Sequence, residues 1–156
     1  MGMALPPFQT FMNAHYQDVF RFLVATVGRQ DADDCFQETF LAAFRAYPRL
    51  QDASNLRGWI FTVAHRKAMD SHRARIRRPV VSESAPERAV ESNPSAEIEL
   101  WEQLGELPPR QRTAVAHRYL NDFSYREIGT IMRCSEEAAR QNVYQGLRKL
   151  KERWPA

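Results

Sequence analysis

The 156-residue sequence has only two cysteines, Cys35 and Cys134, which lie 99 positions apart with no C-x-x-C spacing anywhere. That excludes a disulfide scaffold, argues against a zinc site and fits a reducing compartment. The four histidines (His15, His65, His72, His117) show no ligand spacing with the cysteines, so neither a metal nor a cofactor is expected. No apolar run approaches the ~18–20 residues that span a bilayer. The first ten residues, MGMALPPFQT, lack the basic-then-apolar order of a secretory signal. The expectation is a cytoplasmic chain that inserts into no membrane. A glycine-rich phosphate loop, a metal-ligand cluster and a nucleophile–base pair are all missing, so no catalytic residue is nominated and no enzyme is expected. Period-two alternation is absent as well, which leaves no strands to place.

What is present is a packable composition, 44% hydrophobic and 11% aromatic, with an uneven charge. The net charge is +3, but residues 65–78 carry 6 basic and 1 acidic side chains, and residues 107–156 carry 10 basic and 5 acidic. Between them, residues 79–106 carry 1 basic and 7 acidic. Two basic zones flanking an acidic strip mark two places to meet a polyanion, or two solvated helix surfaces.

The apolar periodicity predicts three helices over residues 9–77. In the first, Phe11, His15/Tyr16, Val19, Leu23 and Thr26/Val27 recur at three- and four-residue steps, and Gly28 ends it. In the second, Asp31 is the expected cap and Phe36, Phe40, Ala43, Phe44 and Tyr47 form the apolar face. The third starts near Ser54 and runs past Trp59, Ile60 and Val63 to about Arg77. The stretch RRPVVSESAPERAVESNPS, with three prolines and four serines, reads as a flexible linker. A short helix around Ile98–Leu104 and a helix opening at Pro108-Pro109 begin a second unit. The predicted fold class is all-α: a helical domain over 1–78, a linker over 79–96 and a helical domain over 97–156.

Residues 124–150 carry the most specific local pattern. Ser124 and Glu127 form a capping box, Arg133-Cys134 makes a tight turn, and Ser135 caps the next helix. The turn position often held by glycine is Arg133, which has to accept a left-handed or strained conformation at some cost. On the last helix Ala139, Val143, Leu147 and Leu150 step inward, so Arg140, Gln141, Tyr144 and Arg148 share the outer face. Small Gly129 and Ala138 or Ala139 let the two helices cross closely, as a helix-turn-helix requires. Arginine suits guanine's O6/N7 edge and glutamine suits adenine's N6/N7 edge. The plainer alternative is an αα-hairpin with no DNA role.

Three stretches, DADDCFQETFLAAFRAY, NLRGWIFTVAHRKAMDSHRARIRR and LPPRQRTAVAHRYLNDFSYREIGTIM, resemble in order and spacing the conserved regions of extracytoplasmic-function (ECF) sigma factors of bacterial RNA polymerase. The resemblance covers residues 10–78 and 97–152. EEAARQNVYQGL departs from the usual recognition-helix string, which bears on the promoter and not on the class.

The resemblance implies a sigma-70-family factor that binds core polymerase through the clamp helices of its largest subunit and the flap of its second largest, and that reads promoter DNA. It leaves room for an anti-sigma factor as an additional partner, whose existence the sequence does not reveal. Asp34, Gln37, Glu38, Leu41 and Arg45 match the polymerase-docking helix. Asp52, Ser54, Asn55, Arg57, Arg66, Lys67, Arg73 and Arg77 match the part that reads and melts the −10 element, with the loop Leu50–Asn55 offered to a flipped base. Trp59 could stack on a base, though core is the plainer assignment. His65 and His72 are contacts or bystanders. Ser135, Glu136, Arg140, Gln141, Tyr144 and Arg148 match the reader of the −35 element. A free-standing helix-turn-helix regulator that binds operators without polymerase is the competing reading, and it leaves the first domain without a role.

Overall fold

The computed structural model describes residues 4–77 and 104–153. The linker over 79–96 and the helix around Ile98–Leu104, Leu104 excepted, lie outside the described residues. Six α-helices make up the described part: α1 (Phe8–Val27), α2 (Arg29–Ala46), α3 (Leu56–Arg77), α4 (Pro109–Tyr119), α5 (Tyr125–Met132) and α6 (Glu136–Arg153). No strand occurs among the described residues.

The first three helices form where the apolar period placed them, with two corrections. The second starts at Arg29, and Asp31 caps nothing: it lies in the first turn and pairs with Arg75 of α3 at 3.7 Å. The reason is Gly28. At φ +85° it ends α1, donates its N–H to the Val24 carbonyl and accepts from Ala32, so α2 begins at once. Phe44, expected in the core, is 61% exposed and touches only Phe8 among the aromatic rings, edge-on at 5.3 Å. Cys35 and Thr39 take the inward positions instead, Thr39 donating its hydroxyl to the Cys35 carbonyl at 2.6 Å. Burial pushes the Cys35 thiol up, away from the thiolate form. Trp59 is half-buried and packs near Phe11 (5.7 Å) and Tyr47 (6.3 Å), in keeping with core.

The two helical units do not stand apart. One apolar cluster runs through α1, α2 and α3 and continues into Ala114, Phe123, Ile128, Ile131, Met132 and Val143 of the C-terminal unit. Its seam is built around His117 of α4, which is fully buried. The imidazole stacks on Phe22 at 4.5 Å and lies 5.8 Å from Phe123, 5.8 Å from His65 and 6.3 Å from Phe61. Among the described residues, neither ring nitrogen of His117 has a hydrogen-bond partner. Two arginines cross the seam: Arg112 donates Nε–H to the carbonyl of Ala25 near the end of α1, and Arg57 donates to the Asn121 carbonyl at 2.6 Å. Arg112 thereby satisfies one of the last carbonyls of α1, which have no partner inside the helix. Removing Phe22 or Phe61 from such a cluster costs ~3–5 kcal/mol in comparable cores.

The seam is sensitive to acid. Burial holds His117 well below its ordinary pKa, with further lowering by His65 and Arg57. Burial, with the charges of Arg110, His72 and Arg66, takes His65 from 6.5 down to about 4. Both rings bind protons more readily once exposed, so their stabilisation is complete above pH ~6.5 and is lost as pH falls toward 4. For His65 alone the loss by pH 4 is about 3 kcal/mol. Urea titrations at pH 7.5, 6 and 5 should show a falling midpoint, and His117→Phe should flatten that dependence. An equally steep profile in the variant would assign the acid sensitivity to other groups.

Candidate nucleic-acid interface

The helix-turn-helix forms as its local chemistry dictates. Ser124 Oγ accepts from the Glu127 N–H at 3.1 Å, and Glu127 Oε1 accepts from the Ser124 N–H at 2.9 Å, closing both halves of the capping box. Helix α5 buries Ile128, Gly129, Ile131 and Met132. Arg133 then takes the left-handed conformation at φ +57°, and Cys134 donates to the Gly129 carbonyl at 2.9 Å. A Cβ on Gly129 would lie 2.8 Å from the Cys134 carbonyl oxygen, so the turn and the start of α6 close on the glycine itself. Ser135 Oγ accepts from the Ala138 N–H at 2.9 Å and caps α6.

Ala139 and Val143 of α6 are buried, while Gln141, Tyr144 and Arg148 are exposed and Arg140 is half-exposed. The outward face inferred for Arg140, Gln141, Tyr144 and Arg148 therefore exists as one surface. Arg140 does not hang free on it. Its guanidinium lies 5.0 Å from the centre of the Tyr125 ring and 3.7 Å from Glu136. Of the remaining −35 candidates, Ser135 is occupied as a cap and Glu136 sits in the first turn of α6.

The −10 candidates fall on more than one face. Asp52, Ser54 and Asn55 are exposed ahead of α3, but two of their side chains already have local partners. Asp52 accepts from the Ser54 N–H at 2.9 Å, which holds its carboxyl below the usual range. Asn55 Oδ1 accepts from the Gly58 N–H at 3.0 Å, so Asn55 caps α3, one residue beyond the Ser54 start expected. Arg57 is committed to the seam, with its guanidinium 4.3 Å from the Phe123 ring centre. Arg66 and Arg73 line a cleft with Met69, Ile131, Met132 and Arg133, whereas Lys67, Arg75 and Arg77 line the groove between α2 and α3. His65 is a seam residue and His72 is half-buried, its pKa lowered by burial and by Arg112.

Opposite Lys67, that α2–α3 groove is lined by Asp34, Gln37, Glu38 and Leu41, four of the five docking candidates. All five, Arg45 included, are exposed. Leu41 is 54% exposed, and with Phe44 it makes an apolar strip on an otherwise charged helix. Residues missed in the sequence are those of the seam, Arg112, His117 and Asn121. The usable signal there was an Arg and a His at positions 112 and 117, inside an alanine- and valine-rich turn of α4.

Residues 11–78 match the family described as Sigma-70 region 2, and residues 97–150 the one described as Sigma-70, region 4. Over 92% of its length the chain is 31% identical to the ECF RNA polymerase sigma factor SigM of Bacillus subtilis (strain 168), of which it covers 90%. The chain belongs to the ECF sigma factors of the sigma-70 family. It is also 30% identical to the ECF sigma factor SigC of Mycobacterium tuberculosis (strain CDC 1551 / Oshkosh), over 86% of this chain and 76% of that one. Two solved structures share the fold at 20% identity. One is RpoE of Bartonella quintana in complex with the anti-sigma factor NepR, at TM-score 0.75 over 93% of this chain and 94% of that one. The other is CnrH in complex with the cytosolic domain of CnrY, at TM-score 0.69 over 93% and 85%.

An ECF sigma factor is a non-enzymatic, DNA-recognising subunit of RNA polymerase that directs promoter-specific initiation. A free-standing operator-binding regulator is not favoured, because both sigma regions are matched in order. Among the described residues no helix is long and apolar enough to cross a membrane.

The turn of this ECF factor stores a removable strain. Arg133 adopts the backbone conformation that glycine takes without penalty. Arg133→Gly should raise stability by ~1 kcal/mol. A chemical denaturation midpoint unchanged or lowered in the variant would show that the Arg133 side chain contributes more than its backbone costs.

Proposed function

We propose that the two units divide the promoter between them. The C-terminal unit, residues 97–156, reads the −35 element with the outer face of α6. The N-terminal unit, residues 1–78, docks on core polymerase through α2 and takes the −10 element with the loop Leu50–Asn55 and with α3. The observation that carries this reading is the exposed Gln141, Tyr144 and Arg148 beside half-exposed Arg140, on the second helix of a helix-turn-helix whose opposite face is buried. Such a face enters the major groove, with base-edge contacts near the helix N-terminus and a phosphate contact one turn on.

Promoter-variant transcription with core polymerase tests it at two salt concentrations. Arg140→Ala or Gln141→Ala should relax the preference at one or two −35 positions, since a good bidentate pair discriminates by ~1–3 kcal/mol. Arg148→Ala should weaken every promoter alike and lower the salt slope by about one. Parental −35 profiles in the Arg140 and Gln141 variants would remove α6 as the reader.

The docking assignment rests on the exposed Leu41 and Phe44 amid Asp34, Gln37, Glu38 and Arg45. The proposed partner surface is the clamp helices of the largest subunit, with the flap of the second largest engaging the C-terminal unit. Leu41→Glu should cut affinity for core polymerase by ~2 kcal/mol, or about thirtyfold, with the circular dichroism spectrum kept. Native affinity in that variant would move the docking surface elsewhere.

The solved sigma factor RpoE of Bartonella quintana, which shares this fold, is bound to the anti-sigma factor NepR, and a protein of that kind is the further partner proposed here. On this reading Arg57 and the α3 side facing α5 meet DNA only after the seam has opened, because Arg57 is engaged by Asn121 and Phe123 in the closed chain.

A further inference from the structure

Tyr125 opens α5, directly after the Ser124 cap, and its ring collects partners from two other helices, α4 and α6. The Arg118 guanidinium of α4 lies 4.7 Å from the ring centre, and that of Arg140 from α6 lies at 5.0 Å. The Tyr144 ring stands edge-on to it at 6.4 Å and 87°. Arg118 is itself fixed, donating to the Phe123 carbonyl at 3.1 Å. Two of the four outward side chains of α6 thus rest on one aromatic ring that belongs to the other helix of the motif.

We propose that Tyr125 is a positioning residue for −35 recognition, holding Arg140 and Tyr144 in the orientation from which they meet base edges. The proposal rests on the reading of α6 as the −35 reader. An arginine on an open helix surface samples many rotamers, and each must be given up when a base is bound. A guanidinium attracted to the face of an aromatic ring is partly ordered beforehand, so less freedom is lost on contact. Glu136, 3.7 Å from Arg140, restrains the same group from within α6. The ring sets direction because it is anchored by the α5 cap and so moves with the motif as a body.

The test is transcription from −35 variants by polymerase carrying the full-length factor, with Tyr125→Phe and Tyr125→Leu each made alone and in an Arg140→Ala background. Tyr125→Phe keeps the ring and should keep the parental profile. Tyr125→Leu should lose ~5–10-fold discrimination at the base read through Arg140, the scale of one good base contact. In the Arg140→Ala background Tyr125→Leu should add no further loss at that base. NMR of the free factor gives a readout independent of activity and of folding losses: the Arg140 Nε–H resonance, shifted by the ring current, should move in Tyr125→Leu and stay in Tyr125→Phe.

A Tyr125→Leu factor that keeps its profile while Arg140→Ala changes it would overturn the positioning role and leave the −35 reading standing. Uniform weakening on all variants would make Tyr125 a purely structural residue. A profile altered by Tyr125→Phe would point to a direct hydroxyl contact with DNA instead. If Arg140→Ala itself changes nothing, the −35 reading fails and this proposal falls with it.

Discussion

A neutral imidazole with no hydrogen-bond partner among the described residues, enclosed by three phenylalanines and a second histidine, joins the two units of this ECF sigma factor. Phe22 comes from α1, Phe61 and His65 from α3, and Phe123 from the turn between α4 and α5, so residues from both units close on one ring of α4. A charged group there would face desolvation and the nearby guanidinium of Arg57 together. The stability of the closed chain therefore depends on His117 staying uncharged, and the Arg112 and Arg57 bonds to backbone carbonyls add direction to a contact that is otherwise apolar.

Much of this was readable in the residues. The helices over 9–77, the Ser124–Glu127 capping box, the left-handed Arg133 and the inward step of Ala139 and Val143 all follow from local chemistry, and the structure has them. Local rules gave less where two elements compete for one boundary. Asp31 has the side chain of a cap, but the backbone of Gly28 starts α2 three residues sooner and takes the cap position itself. Phe44 fits the apolar period of α2, yet periodicity identifies a face and not what covers it, and beyond Phe8 little lies over Phe44.

The seam was least legible, for the same reason. Ile131, Met132 and Phe123 lie in the core of the C-terminal unit, and the same side chains also close on α3. A polar-looking run such as AHRYLNDF hides this, since His117 and Asn121 are buried only in the presence of the other unit's residues. The candidate DNA residues follow suit. Exposure and pairing separate them into an outward face on α6 on which Arg140 is already held, a locally engaged set before α3, a basic set lining two grooves of α3 and a seam residue in Arg57, a division that no spacing rule predicts.

Arg57 carries a quantitative consequence. With Arg57 as a proposed contact to the −10 strand, its guanidinium serves two mutually exclusive ligands, a carbonyl of its own chain and the promoter. The apparent dissociation constant for melted DNA is then the intrinsic one divided by the fraction of molecules that are open. A seam ten times harder to open asks for about ten times more DNA or polymerase to reach the same occupancy. Residues that never approach a base, Phe22 or His117 among them, would in this way set the threshold at which a promoter fires, and promoter strength would become partly a property of how tightly the factor packs against itself.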